Sequence, residues 1–149
     1  MKSTAVGSAA AALGDNSVAV GADANAEGLE STAMGANATA QGDYSTAAGA
    51  GSIAQGALSS ALGVNAQAQG DLSTALGSGA VATGVGSTAV GVVAKAEGEL
   101  STALGMNAVA QAADSVAIGA YSVADRPNTV SVGAAGAERQ ITNVAAGVE

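Results

Sequence analysis

The sequence predicts an all-β roll, a rod of stacked 14-residue coils with two short strands in each. Three observations predict it. The pentad Ser-[Thr/Val/Ser]-Ala-x-Gly begins at Ser3, Ser17, Ser31, Ser45, Ser59, Ser73, Ser87, Ser101 and Ser115, every step being 14 residues without an insertion. Within each unit small residues alternate with larger ones in period two, the periodicity of a strand. The 149 residues include 22 Gly but neither Phe nor Trp, so a thick globular core cannot be filled.

Counting from the pentad serine, positions 1 to 5 read as one strand and positions 6 to 10 as a second. Glycine stands at position 5 in all nine units, and at position 12 in seven, from Gly14 to Gly98. These glycines mark the corners, where a tight turn asks for positive φ. A helix is disfavoured, because each regular glycine costs it about 1 kcal/mol against alanine. Position 10 is always Ala, and position 8 is Ala except at Ser52 and Ser122. Positions 1, 3, 5, 8 and 10 are therefore expected to face each other inside a coil too narrow for more than Ser, Ala or Gly. Coils stacked at about 4.8 Å would make a rod of roughly 40 Å over residues 3–124.

The larger apolar residues of the first strand then point outward. Position 4 reads Val6, Val20, Met34, Ala48, Leu62, Leu76, Val90, Leu104 and Ile118; position 2 is mostly Thr, with Val18 and Val116. Such a stripe does not stay in water, since each exposed Leu, Ile or Val forgoes about 1.5–3 kcal/mol. The expected self-association interface is Val6, Val18, Val20, Met34, Leu62, Leu76, Val90, Leu104, Val116 and Ile118. Periodicity admits a dimer or a trimer alike. The layer at Ala48 and Ser60 is thin and should pack less well. Outward positions 7 and 9 are more polar, including Asp23, Asn25, Asn37, Thr39, Asn65, Gln67, Lys95 and Asn107, and should face solvent. Ile53, Val81, Val93, Val109, Tyr121 and Val123 read as scattered surface apolar residues.

The charge balance, 12 acids against 4 bases, gives a net −8 and offers no basic face to nucleic acid. Neither Cys nor His is present, which removes disulfides, thiolate or imidazole metal sites and His acid–base chemistry. Asp15, Glu30, Asp43, Asp71, Glu97, Glu99 and Asp114 fall at corners, as turn residues do, and do not converge on a base. No enzyme activity and no cofactor are expected. No signal peptide is visible, and Met1-Lys2 read as residues added to a trimmed chain. No apolar run approaches the roughly 18 residues of a membrane span, so any secretion or anchoring element is expected outside this sequence.

After Ala124 the pattern breaks into Asp125-Arg126-Pro127-Asn128, and an altered pentad runs from Thr129 to Gly133. Ile141, Val144 and Val148 are spaced by 3 and 4, the start of an a/d seam. Residues 125–149 therefore read as a passage from roll to helical stalk.

The segments Asn16-Ser17-Val18-Ala19-Val20-Gly21 and Asp114-Ser115-Val116-Ala117-Ile118-Gly119 resemble the head repeats of trimeric autotransporter adhesins. Residues 122–147 are similar to the neck of that family, with Asn128, Val130, Val132, Gly133, Arg139, Gln140, Ile141, Asn143 and Val144 as its neck residues here. The resemblance implies a left-handed parallel β-roll and a parallel homotrimer. It implies a neck that exchanges segments between chains and leads into a coiled-coil stalk. It places the head outside a Gram-negative outer membrane, anchored by a barrel beyond this chain, and adhering to host matrix or cell-surface molecules. The residues alone leave other readings open: a passive spacer holding another domain away from the cell, or an ice- or carbohydrate-binding solenoid using the threonine ladder. For adhesion, the candidate contact face is the outward second strand with the variable corners at positions 11–14, such as Leu13-Gly14-Asp15-Asn16 against Glu27-Gly28-Leu29-Glu30, and no single ligand-binding residue stands out.

Overall fold

A computed structural model describes residues 2–147; Met1 and Val148, named above, lie outside the described residues. Short strands alternate between two parallel sheets as the chain winds. Sheet A contains the odd-numbered strands in chain order, from β1 (Thr4–Val6) to β19 (Val130–Ser131). Sheet B contains the even-numbered ones, from β2 (Ala11–Ala12) to β18 (Val123–Ala124). The register advances by one repeat per coil. Thr74, Ala75 and Leu76 lie between Ser60, Ala61 and Leu62 on one side and Thr88, Ala89 and Val90 on the other.

The strands are shorter than the sequence suggested, spanning positions 2–4 and 9–10 of each unit. The remaining residues are spent on two corners. Each closes with a main-chain bond three residues back, as Ala24 N to Gly21 O at 3.3 Å and Ser17 N to Gly14 O at 3.2 Å. Such turns place a positive φ at their third residue, which is position 7 or 14 of the unit. Asn16, Asn37, Asn65, Asn107 and Asn128 occupy these places with φ of 54–57°. So do Leu58, Leu72, Val93 and Leu100, at 54–58°.

The two corner glycines have different causes. At position 5 the expected left-handed geometry is present, with φ of 136° at Gly21. At position 12 the reason is close approach of stacked coils, since a Cβ on Gly14 would fall on the carbonyl of Gly28.

The interior is as narrow as expected. Alanines at positions 3, 8 and 10 and serines at position 1 are fully buried from the second unit onward, and serine is the largest side chain so enclosed. Ser17 and Ser115 donate to the position-12 carbonyls of Gly14 and Ala112, each at 2.7 Å. The hydroxyls of Ser31, Ser45, Ser59, Ser73, Ser87 and Ser101 are buried without a partner.

The coil geometry loosens at the C-terminal end. Ala112 takes the place of a corner glycine where the next coil opens. There Asn128 N reaches Ala113 O at 3.3 Å, against 2.7–2.9 Å at the equivalent corners. Val123 N then bonds Gly133 O at 2.8 Å, three residues before the Gly136 that the repeat would supply. Beyond it no helix forms among the described residues, and Ile141 and Val144 are 70% and 71% exposed. This departs from the expected start of a helical stalk. One heptad cannot meet the cost of helix nucleation without a facing helix to cover its seam.

Candidate functional site

The roll has two broad outward faces of opposite character. On sheet A, Val6, Val20, Met34, Leu76, Leu104 and Ile118 are all exposed, and Leu62 and Val90 are partly so. Val18 and Val116, with the position-2 threonines between them, are half-buried. All ten residues of the expected self-association interface thus fall in two adjacent columns on one face. Their outward direction follows from strand alternation, because the intervening alanine is fully buried.

The apolar surface of sheet A extends further than position 4. Val64, Val92 and Met106 at position 6 are exposed beside it. Tyr44, Leu58, Leu72 and Leu100 at position 14 are exposed at the opposite edge, on the corner that leads into the sheet. Sequence reasoning treated this column as variable corner residues and missed it. The signal was the recurrence of large apolar residues at 14-residue steps in a place that tight turns reserve for Asn or Gly.

Sheet B presents hydrogen-bonding side chains. Asn25 Nδ2 donates to Glu27 Oε1 at 2.5 Å, Gln41 Nε2 to Glu27 Oε2 at 3.4 Å, and Gln55 Nε2 to Gln41 Oε1 at 3.3 Å. Gln69 Nε2 donates to Gln67 Oε1 at 2.9 Å. At position 11, Glu27, Gln41 and Gln55 thus link three successive coils, through one carboxylate and two amides, while the bonds of Asn25 and Gln69 lie within a coil. Ile53, Val81 and Val109 sit half-buried among these groups, while Val93, Tyr121 and Val123 are exposed.

Two of the corner acids do structural work that the sequence did not reveal. Asp43 Oδ1 accepts the Leu29 N–H, and Asp71 Oδ1 the Ala57 N–H, each at 2.9 Å and across one coil. Among the described residues no three of His, Cys, Asp and Glu group closely enough to hold a metal ion.

The neck residues split into two sets. Arg139 closes the open end of the roll: its guanidinium donates to Ala120 O and Val132 O at 2.6 Å and to Ser122 Oγ at 2.9 Å. Gly133 is buried and Val132 half-buried under this contact, which borders a cavity of about 790 Å3 also lined by Val123, Arg126 and Val130. Glu138 accepts the Gly136 N–H at 2.9 Å, and that backbone bond holds its carboxyl below the usual carboxylate range. Asn128, Val130, Gln140, Ile141, Asn143 and Val144 are exposed and are not brought together. Arg139's acceptors are mostly main-chain carbonyls, which carry no sequence signal.

Comparison with known proteins gives one consistent result. The family model described as "YadA head domain repeat (2 copies)" matches residues 2–24, 26–52, 54–80, 82–108, 96–122 and 110–135. Among solved structures, the collagen-binding domain of the Yersinia adhesin YadA is similar, with a TM-score of 0.67 and 37% identity over 84% of this chain and 78% of that one. No curated protein sequence matches.

Proposed function

This chain belongs to the YadA head domain family, and on that premise we propose that it is the head of a trimeric autotransporter adhesin, a non-enzymatic module that attaches a bacterium to host matrix. The observation that carries the reading is the pairing of a long apolar face with a long polar one on a rigid rod. Three rods with sheet A turned inward would bury the apolar columns and present three copies of the amide-bearing sheet B. Repetition of one weak contact along each rod and around three of them favours avidity over single-site affinity.

The proposed partner is collagen, the ligand named for the similar Yersinia domain. The proposed setting is the outer face of a Gram-negative outer membrane, with the neck joined to a coiled-coil stalk and to an anchor beyond this chain. In the trimer the exposed Ile141 and Val144 would gain the facing helices that one chain lacks. A spacer or an ice-binding surface is not favoured by the comparisons. In addition, the threonine column is half-buried between apolar neighbours and is not a free flat surface.

The test is binding of the purified chain to immobilised fibrillar collagen, with light scattering on the same sample. A mass near three times 13.7 kDa and saturable binding are expected. A trimer that fails to bind collagen would remove the proposed ligand; a compact monomer would remove the assembly.

A further inference from the structure

We propose that the two apolar edges of sheet A are the two halves of a heterologous contact: the position-14 column of one chain packs over the position-4 column of the next. This rests on the homotrimer proposed above and adds which residues meet. Tyr44 would lie against the neighbour's Ala48, Leu58 against Leu62, Leu72 against Leu76 and Leu100 against Leu104.

The first support is the layout of the face. Both columns are exposed, and they flank the half-buried position-2 threonines on the same sheet. A triangular arrangement of three flat faces brings one edge of each against the opposite edge of the next. Two different edges meeting in this way make a heterologous interface, which closes into a ring of three when each contact turns the next chain by a third of a turn.

The second support is volume. A rotation axis parallel to the rod preserves height, so residues of one layer meet residues of the same layer. In the third corner's layer the smallest position-4 residue of the roll, Ala48, coincides with the largest position-14 residue, Tyr44. Tyr44 is 50% exposed in the single chain. Its ring supplies the bulk that the Ala48 layer lacks. The layers on either side of the rod's centre instead pair Leu with Leu.

The third support is continuity. Gly86 interrupts the position-14 column, but Leu100 leans into the gap, with its Cδ2 2.8 Å from where a Cβ on Gly86 would be. The apolar column therefore runs unbroken from Tyr44 to Leu100. Every leucine in it also holds a left-handed backbone, φ 54–58°, that leucine disfavours. Exposure and strain together have no offset within one chain.

The chain has no cysteine, so single thiols report contacts cleanly. Leu72→Cys chains and Leu76→Cys chains, distinguishable by tag length, would be co-assembled by refolding and treated with a short bis-maleimide. Cross-linked pairs containing one chain of each kind, with few pairs in either variant alone, are the expected result. An assembly of trimer mass that yields only like-with-like pairs, or none, would overturn the contact while leaving the trimer standing. A monomeric mass would instead overturn the underlying assembly. A second measurement uses volume: Tyr44→Ala and Ala48→Leu should each lower the melting temperature of the trimer, and the double variant should recover part of the loss. Additive losses would overturn the Tyr44–Ala48 pairing.

Discussion

Leucine at position 66 would test the narrow interior directly. Ala66 is fully buried, and the enclosed side chains are otherwise Ala and Ser. Ala66→Leu adds three carbons where no larger neighbour can change rotamer to make room. The favourable transfer of those carbons, about 0.8 kcal/mol each, cannot be realised without a cavity to receive them. Overpacking of an ordinary core costs about 1–3 kcal/mol, and this site stands at the upper end because only main chain can yield. At 2–4 °C per kcal/mol for a chain of this size, the melting temperature should fall by about 6–12 °C. Each coil contacts only its neighbours, so the damage should stay local. Amide exchange should accelerate across residues 52–80 and little elsewhere. Circular dichroism melting and exchange mass spectrometry give both readings, with Gln67→Leu on the outward side as control. An unchanged melting temperature for Ala66→Leu, or an equal loss for Gln67→Leu, would mean that the faces have been assigned the wrong way round.

Other positions give sharper contrasts. Val93 is β-branched and holds φ at 56°, so Val93→Asn should stabilise the roll by about 1 kcal/mol in chemical denaturation; a loss would show that its side chain makes contacts worth more than the strain. Ser73→Ala removes a buried hydroxyl without a partner and should raise stability by on the order of 1 kcal/mol, whereas Ser17→Ala breaks the bond to Gly14 O and should lower it by a similar amount. Equal effects of the two substitutions would refute the distinction. Leu104→Asp should reduce the assembly's mass in light scattering, because three carboxylates would enter one apolar layer; an intact trimer of unchanged stability would exclude position 4 from the interface.

Much of the architecture was readable because the repeat constrains it repeatedly. A fixed 14-residue step leaves one way to stack Ala19, Ala33 and Ala47, and their smallness dictates that they lie inside. Other features depend on main-chain partners. Nothing in the identity of Asp43 says that its carboxylate bonds the Leu29 N–H of the preceding coil. The early closure of the last coil depends on Gly133 replacing Gly136 as acceptor, a choice made by the path of the chain after Pro127. The a/d pattern of Ile141 and Val144 describes a surface that needs partners, and in one chain both side chains are exposed.

The two left-handed corner positions offer an internal comparison. They share one backbone geometry, yet their residues differ. Position 7, leading into sheet B, is Asp23, Asn37, Gly51, Asn65, Gly79 and Asn107 in most units, residues that suit positive φ. Position 14, leading into sheet A, carries such residues at Asn16, Gly86, Asp114 and Asn128, while Tyr44, Leu58, Leu72 and Leu100 fill most of its middle. Backbone preference alone would make the two columns alike. Holding leucine in the left-handed region costs on the order of 1–2 kcal/mol, and full burial of the side chain returns about 1.5–3 kcal/mol. The substitution is therefore unfavourable in an isolated rod and favourable once a neighbouring chain covers the column. On the proposed contact, the middle of position 14 serves assembly and position 7 the fold of the single chain.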